Sequence, residues 1–315
     1  RIIVMVALVG SQGFAQSAPD TREAHCAAAK AAAGTEHVAV YNRFADTCSP
    51  AAANPNAPQR GRGAGGAAPE RQIPARETWY HEPVKVFDNF YFVGTKAHNA
   101  WVVQTSEGLI VIDALFDYAV KDAVVEGLRK LGLNPATMKY VIISHGHGDH
   151  HGGAKFLQDE FGPRVVMGGP DWELVENNKR DPSPKRDIIA ADGQKITLGD
   201  TTLTLYATPG HTAGTFSIVI PVKDNGRPHL IATWGGTAVS PTTAPASLKA
   251  YIDSAVRYRQ LIAKLGVEGM ISNHFEYDNS PTKLPALATR KPGDRHPYLT
   301  GADSVRRYMT VVEEL

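Results

Sequence analysis

"YVIISHGHGDHHGG", running from Tyr140 to Gly153, starts as an apolar run and ends as a polar cluster. Tyr140 to Ile143 have the β-branched and aromatic character of a buried strand. His145, His147, Asp149 and His150 follow within six residues, interspersed and followed by glycines at 146, 148, 152 and 153. Glycine lets the backbone turn tightly and approach its neighbours closely, so the strand is expected to turn into a helix with four ligand-type side chains crowded together. Two histidines separated by one residue can converge on one ion. Imidazole and carboxylate together suit Zn2+ and its neighbours in the transition series. The alternative is a solvated polar loop at the end of a sheet.

Two more histidines sit in the same local setting. TPGHTAG places His211 after a strand ending near Tyr206, and ISNH places His274 at the end of the apolar run GMIS. Either one alone reads more readily as a surface or hydrogen-bonded structural residue than as a ligand. Their recurrence at strand ends favours a shared metal site.

Working outward, VKVFDNFYFVGT (Val84 to Thr95) and AWVVQTSEGLIVIDA (Ala100 to Ala114) read as hairpins around Asp88-Asn89 and Glu107-Gly108. DYAVKDAVVEGLRKLG follows as a helix, with Val120, Val124, Leu128 and Leu131 at helical spacing. Helices are expected over Gly153 to Glu160 and Pro170 to Asn177, with a strand at Val165 to Met167 between them. DIIAADGQKITLGDTTLTLYATPG and TFSIVIPVKDNGRPHLIATWGG return to strands, broken by Asp-Gly and Asn-Gly turns. A helix from Ala246 to Leu265 carries Leu248, Ile252, Ala255, Tyr258, Ile262 and Leu265 along one face, and Ala302 to Leu315 forms a closing helix. The order is strands then helices, twice over. That order fits an α/β fold in which two sheets pack face to face with helices outside, a four-layer αββα sandwich.

The chain has 315 residues, 43% hydrophobic and 21% charged, with 33 basic against 32 acidic side chains. Nothing in a net charge of +1 calls for nucleic acid or an anionic membrane as partner; a small-molecule substrate is the default. Residues 1–15 read as a secretory signal peptide, with a buried strand or short anchor helix as the alternative. The apolar run is too short to span a bilayer, and a periplasmic or secreted location is expected. Residues 16–48 read as a small helical segment. Its two cysteines, Cys26 and Cys48, would pair in an oxidising compartment, the alternative being two free thiols. The Pro, Ala, Gly and Arg-rich stretch 49–76 reads as a disordered linker, and residues 77–315 as the main domain.

HGHGDHHGG, TPGHTAGT and the late SNH together resemble the metallo-β-lactamase superfamily, whose signature is His-x-His-x-Asp-His followed by two separated histidines. The resemblance extends over about Val84 to Leu315 and implies the four-layer fold and two Zn2+ ions. It implies that His145, His147 and His211 hold the first ion and that Asp149, His150 and His274 hold the second. It also implies that Asp113, in VIDAL, supports them from behind. His151 has no matching ligand role and is expected to be a solvent-exposed neighbour.

Hydrolases of the superfamily such as glyoxalase II carry a bridging Asp in a Gly-Asp-Thr triplet. Here the stretch is ATWGGTAVS, with Gly236 in the place of that Asp. An intact signature without the bridging Asp looks like the third subclass of the class B β-lactamases. The resemblance then implies metal-bound hydroxide attacking a carbonyl, with Asp149 and His150 as its catalytic pair and the amide of a β-lactam as the leading substrate. A lactone, ester or thioester is the alternative, and a non-catalytic metal-binding protein is the second. Lys96, His98, Trp101, Trp234 and Tyr277 are candidate substrate contacts, with plain surface or core roles as their alternatives.

Overall fold

The computed structural model describes residues 20–44, 48, 72–178, 180–239 and 243–314. The expected leader at 1–15 and most of the expected linker, 49–71, lie outside the described residues. The N-terminal segment forms two helices, α1 (Arg22–Ala33) and α2 (Val38–Phe44). Thr21 caps the first by accepting from Ala24 N. A Cys26–Cys48 disulfide closes a separation of 22 residues, which removes about 3 kcal/mol of chain freedom from the unfolded state in the entropic view. The last residues of the expected linker, 72–76, are described and lead into a short turn, α3 (Arg76–Trp79).

The first sheet holds seven strands in chain order: β1 (Val84–Phe87), β2 (Phe90–Phe92), β3 (Trp101–Thr105), β4 (Gly108–Ile112), β5 (Met138–Ile142), β6 (Arg164–Gly168) and β7 (Ile188–Ala190). Pairing is antiparallel from β1 to β4 and parallel from β4 to β7. The helix expected after β4 is realised in parts, α4 (Asp117–Val120), a π segment at Lys121–Val125 and α5 (Glu126–Lys130). After β5 come α6 (Gly148–His151), α7 (Ala154–Phe161) and, beyond β6, α8 (Gly169–Asn177).

The second sheet contains β8 (Gln194–Leu198), β9 (Thr201–Ala207), β10 (Phe216–Asp224), β11 (Arg227–Trp234) and β12 (Gly269–Ser272), in the order β12-β11-β10-β9-β8. Asn225 and Gly226, with φ of 51° and 77°, make the turn between β10 and β11. The turn at Asp192-Gly193 is different from the sequence expectation. It does not join a hairpin: β7 pairs with β6, so the chain changes sheets there. The remaining helices are α9 (Pro245–Leu265), α10 (Ser280–Thr289) and α11 (Ala302–Glu314). Among the described residues no helix is long and apolar enough to cross a membrane.

Period-two alternation builds three cores from two sheets. Trp101, Val103, Ile110, Ile112, Ile218, Ile220, Ile231 and Ile271 meet between the sheets. The opposite faces, with Val102, Val111 and Val141, pack on Val120, Val124, Leu128, Leu157 and Trp172. On the other side Val219, Ala232, Trp234 and Met270 pack on Tyr251, Tyr258, Ile262, Tyr308 and Val312, and Ala33 and Val40 join them. The layers are therefore αββα.

Along α9 the buried stripe runs through Tyr251, Ala255, Tyr258 and Ile262, whereas Ile252 and Leu265 are exposed. Aromatic Tyr251 takes the place in the core that the sequence pattern gave to Ile252, because its hydroxyl finds a partner there, donating to Thr237 O at 2.8 Å.

Candidate metal centre

The strand directions put all the candidate ligands at one edge. β2 and β4 run parallel to β5, and β9 and β11 run parallel to β12. The segments that leave the C-terminal ends of these strands carry His98, Asp113, the 145–150 cluster, His211, Gly236 and His274. The two sheets are close at this edge, where Phe216 N donates to Ser144 O at 2.9 Å.

His145, His147 and His211 form one group. His211 Nε2 lies 3.1 Å from His145 Nε2 and 3.0 Å from His147 Nδ1. The outer nitrogens fix which lone pairs face inward. His145 Nδ1 donates to Gly235 O at 2.8 Å, and His211 Nδ1 donates to Ala238 O. A carbonyl can only accept, so each Nδ1 carries a proton, and in the neutral ring each Nε2 is a bare lone pair. Facing lone pairs at 3 Å repel unless a cation lies between them. This donor set fits a metal ion, each histidine being oriented by its other nitrogen in the way ligating histidines are.

Asp149, His274 and His98 form a second group, with all ligand atoms within 4.8 Å of one another. His150 joins it: its Nε2 is buried without a hydrogen-bond partner, 3.2 Å from Asp149 Oδ2. Asp113, 1% exposed and held at a left-handed φ of 61°, orients this ring by accepting from His150 Nδ1 at 3.0 Å. The same carboxylate accepts from Ser144 N and Ser144 Oγ at 2.7 and 2.9 Å, which ties it to the strand end before His145.

Charge at the site follows from burial and crowding. Burial and neighbouring imidazoles hold His145 and His274 well below the usual histidine range, and His211 at about 4. Burial likewise takes His98 down to about 4, against the pull of Asp149. Burial would also lower His150, but Asp149 and Asp113 flank it and push it up to about 10. Burial alone would raise Asp149; the charged His150 beside it outweighs that and keeps the carboxyl far below the ordinary carboxylate range. Two carboxylates thus demand positive charge at the second group.

Asp171 was not singled out in the sequence. It is 1% exposed and accepts from Gly146 N, Thr212 Oγ1 and Gly214 N at 2.7, 2.6 and 2.9 Å, so it clamps the His145 and His211 loops together. In the sequence it reads only as an acid in the first turn of a helix, where the dipole favours one.

Several expectations need correction. His151 is fully buried, not exposed, with both ring nitrogens unpartnered, and burial lowers its pKa to about 4. The single turn of α6 sends it inward. The glycines at 146, 148, 152 and 153 all have negative φ, so their role is close approach. A Cβ on Gly153 would stand 2.3 Å from Ala114 O, for example. Trp101 lies between the sheets, stacked on Phe90 with its Nε1 donating to Ser272 O at 2.9 Å. Trp234 faces the outer core and donates to Tyr251 Oη at 3.0 Å. Strand parity sends both indoles into core, so neither is a substrate contact. Lys96 is tied at the surface to Glu77 O at 2.8 Å. Tyr277 does border the site, its ring 5.1 Å from that of His274.

Residues 93–224 match the family model described as the metallo-beta-lactamase superfamily. A hydroxyacylglutathione hydrolase of Acidiphilium cryptum is 33% identical over 101 residues, 32% of this chain and 37% of that protein. The chain spans little more than a third of the length of that curated relative. BJP-1, a subclass B3 metallo-beta-lactamase of Bradyrhizobium japonicum, superposes with a TM-score of 0.64 at 27% identity, covering 74% of this chain and 91% of that one. FEZ-1 metallo-beta-lactamase of Legionella gormanii gives 0.64 at 21% identity over 73% and 91%, a likeness of fold. With the four layers and the histidine edge already in place, these matches show that the chain has the metallo-β-lactamase fold and resembles that superfamily over residues 93–224.

Proposed function

We propose that this chain is an exported two-zinc hydrolase whose leading substrate is the amide of a β-lactam. The observation that carries the reading is the pairing of two donor groups at one edge with Gly236, not a carboxylate, beside His211. When bound, two Zn2+ ions would supply a water acidified towards neutrality and a Lewis acid for the carbonyl oxygen.

The chain's own residues do the rest. His145, His147 and His211 would hold one ion, and Asp149, His150 and His274 the other. Gly235 O and Ala238 O keep the rings of the first group in the ligating tautomer, and Asp113 does so for His150. Asp149, kept ionised at neutral pH, is the carboxylate of the two groups and can accept a hydrogen bond that orients an attacking water. Tyr277, half-buried beside His274, borders the space where a substrate would lie. Export is supported by the apolar, small-residue character of residues 1–15 and by the Cys26–Cys48 disulfide, since such bonds persist in oxidising compartments.

The hydroxyacylglutathione hydrolase match favours a thioester as the second reading, though it covers only 32% of the chain. A spectrophotometric panel of a penicillin, a cephalosporin, a carbapenem, a homoserine lactone and a glutathione thioester separates the two. Turnover of at least one β-lactam is expected. Lactone or thioester turnover with every β-lactam untouched would overturn the leading reading.

A further inference from the structure

We propose that His98, on the loop between β2 and β3, is a further protein ligand of the second metal ion, which would give that ion three imidazoles and one carboxylate. The inference rests on the two-metal reading above and adds a ligand that the His-x-His-x-Asp-His signature does not contain.

The backbone puts His98 opposite His274. The two residues form an isolated antiparallel bridge, flanked by Asn99 N donating to Asn273 O at 2.9 Å and Phe275 N donating to Ala97 O at 3.0 Å. That pattern makes 98 and 274 a directly opposed, non-hydrogen-bonded pair, whose side chains leave the same face at the closest spacing an antiparallel pair allows. The two ring centroids are 5.2 Å apart.

The donors gather around one carboxylate oxygen, and His98, Asp149 and His274 offer ligand atoms all within 4.8 Å of one another. His98 Nε2 lies 3.3 Å, His150 Nε2 3.2 Å and His274 Nε2 3.9 Å from Asp149 Oδ2. Two donors at zinc-ligand distances on a tetrahedron stand about 3.3 Å apart, which is the spacing of His98 Nε2 from Asp149 Oδ2.

The loop is built to hold this ring. Thr95 Oγ1 accepts from Ala97 N and His98 N at 3.2 and 2.9 Å, and Thr95 N donates to His98 O at 2.7 Å. Gly94 makes room for the turn, since a Cβ there would lie 2.7 Å from that same carbonyl. Phe116 packs edge-on against the ring, centroids 5.2 Å apart. Four protein donors leave the second ion less open than a three-ligand catalytic site, so the first ion, with three histidines, keeps the more accessible position.

The test is titration of the metal-free full chain with Co2+, following visible absorption and competition with a chelator. Wild-type protein is expected to take up two equivalents. In both His98→Ala and His98→Gln the first equivalent should bind as in wild type, which also reports an intact fold. The second should bind more weakly by about 100-fold or more, with a changed visible spectrum; loss of an outer partner alone costs 10–100-fold. Two equivalents with unchanged affinity and spectrum in both variants would overturn the assignment and leave the two-metal reading standing. A wild-type chain that binds only one equivalent would overturn both.

Discussion

Replacing His211 by Ala is expected to lower hydrolysis by more than about 100-fold while the chain still folds. Outer partners of a metal ligand already cost up to about 100-fold when removed, and His211 is itself the hub of its group, its Nε2 standing within 3.1 Å of ring nitrogens on both His145 and His147. It lies on the loop between β9 and β10, outside the three apolar cores. Its loss therefore opens no core cavity, and the change in folding stability of the metal-free chain should stay within about 1 kcal/mol. Rate measurements on the purified variant, alongside its circular dichroism, check both halves. Retained activity in a folded variant would move the chemistry elsewhere.

Gly236→Asp is expected to reduce activity by about 10- to 100-fold instead of supplying the bridging carboxylate that other branches of the superfamily use. In the sequence Gly236 reads only as a missing ligand. The structure adds that the space is taken, since a Cβ there would stand 2.4 Å from His211 Cβ and 2.6 Å from its Cγ. Those atoms are the root of the His211 side chain, so relief requires moving the ligand, and a displacement of 1 Å can cost about 100-fold in rate. Gly236→Ala should therefore be nearly as damaging as Gly236→Asp. Full activity in either variant, measured as kcat/KM, would contradict the steric argument.

Much of this was legible in the chain itself, for reasons that differ by residue. The strand at Tyr140 and the turn after it announce themselves because ligands and glycines are contiguous, and the alternation along Trp101 to Ile112 and Phe216 to Trp234 dictates two-faced sheets. Asp113, His211 and His274 could be placed through the resemblance, each being a polar residue at the end of an apolar run. What escaped depends on long-range packing. The same alternation that identifies a strand does not say which face meets which layer, so the chain alone leaves Trp101 and Trp234 open between substrate contact and core, and they are core. His151 follows His150 by one residue, and only the turn of α6 decides that it points inward. Asp171 and His98 meet their partners 25 residues or more away in sequence. A His in a loop or an Asp in a first helical turn carries no local sign of that.

The central claim is that two ions are held at this edge, one by each donor group. Elemental analysis of the purified full chain tests it most directly. The account predicts close to two zinc ions per chain in wild type and clearly fewer in His211→Ala. A wild-type value of one or below, in protein that folds and turns over substrate, would contradict it.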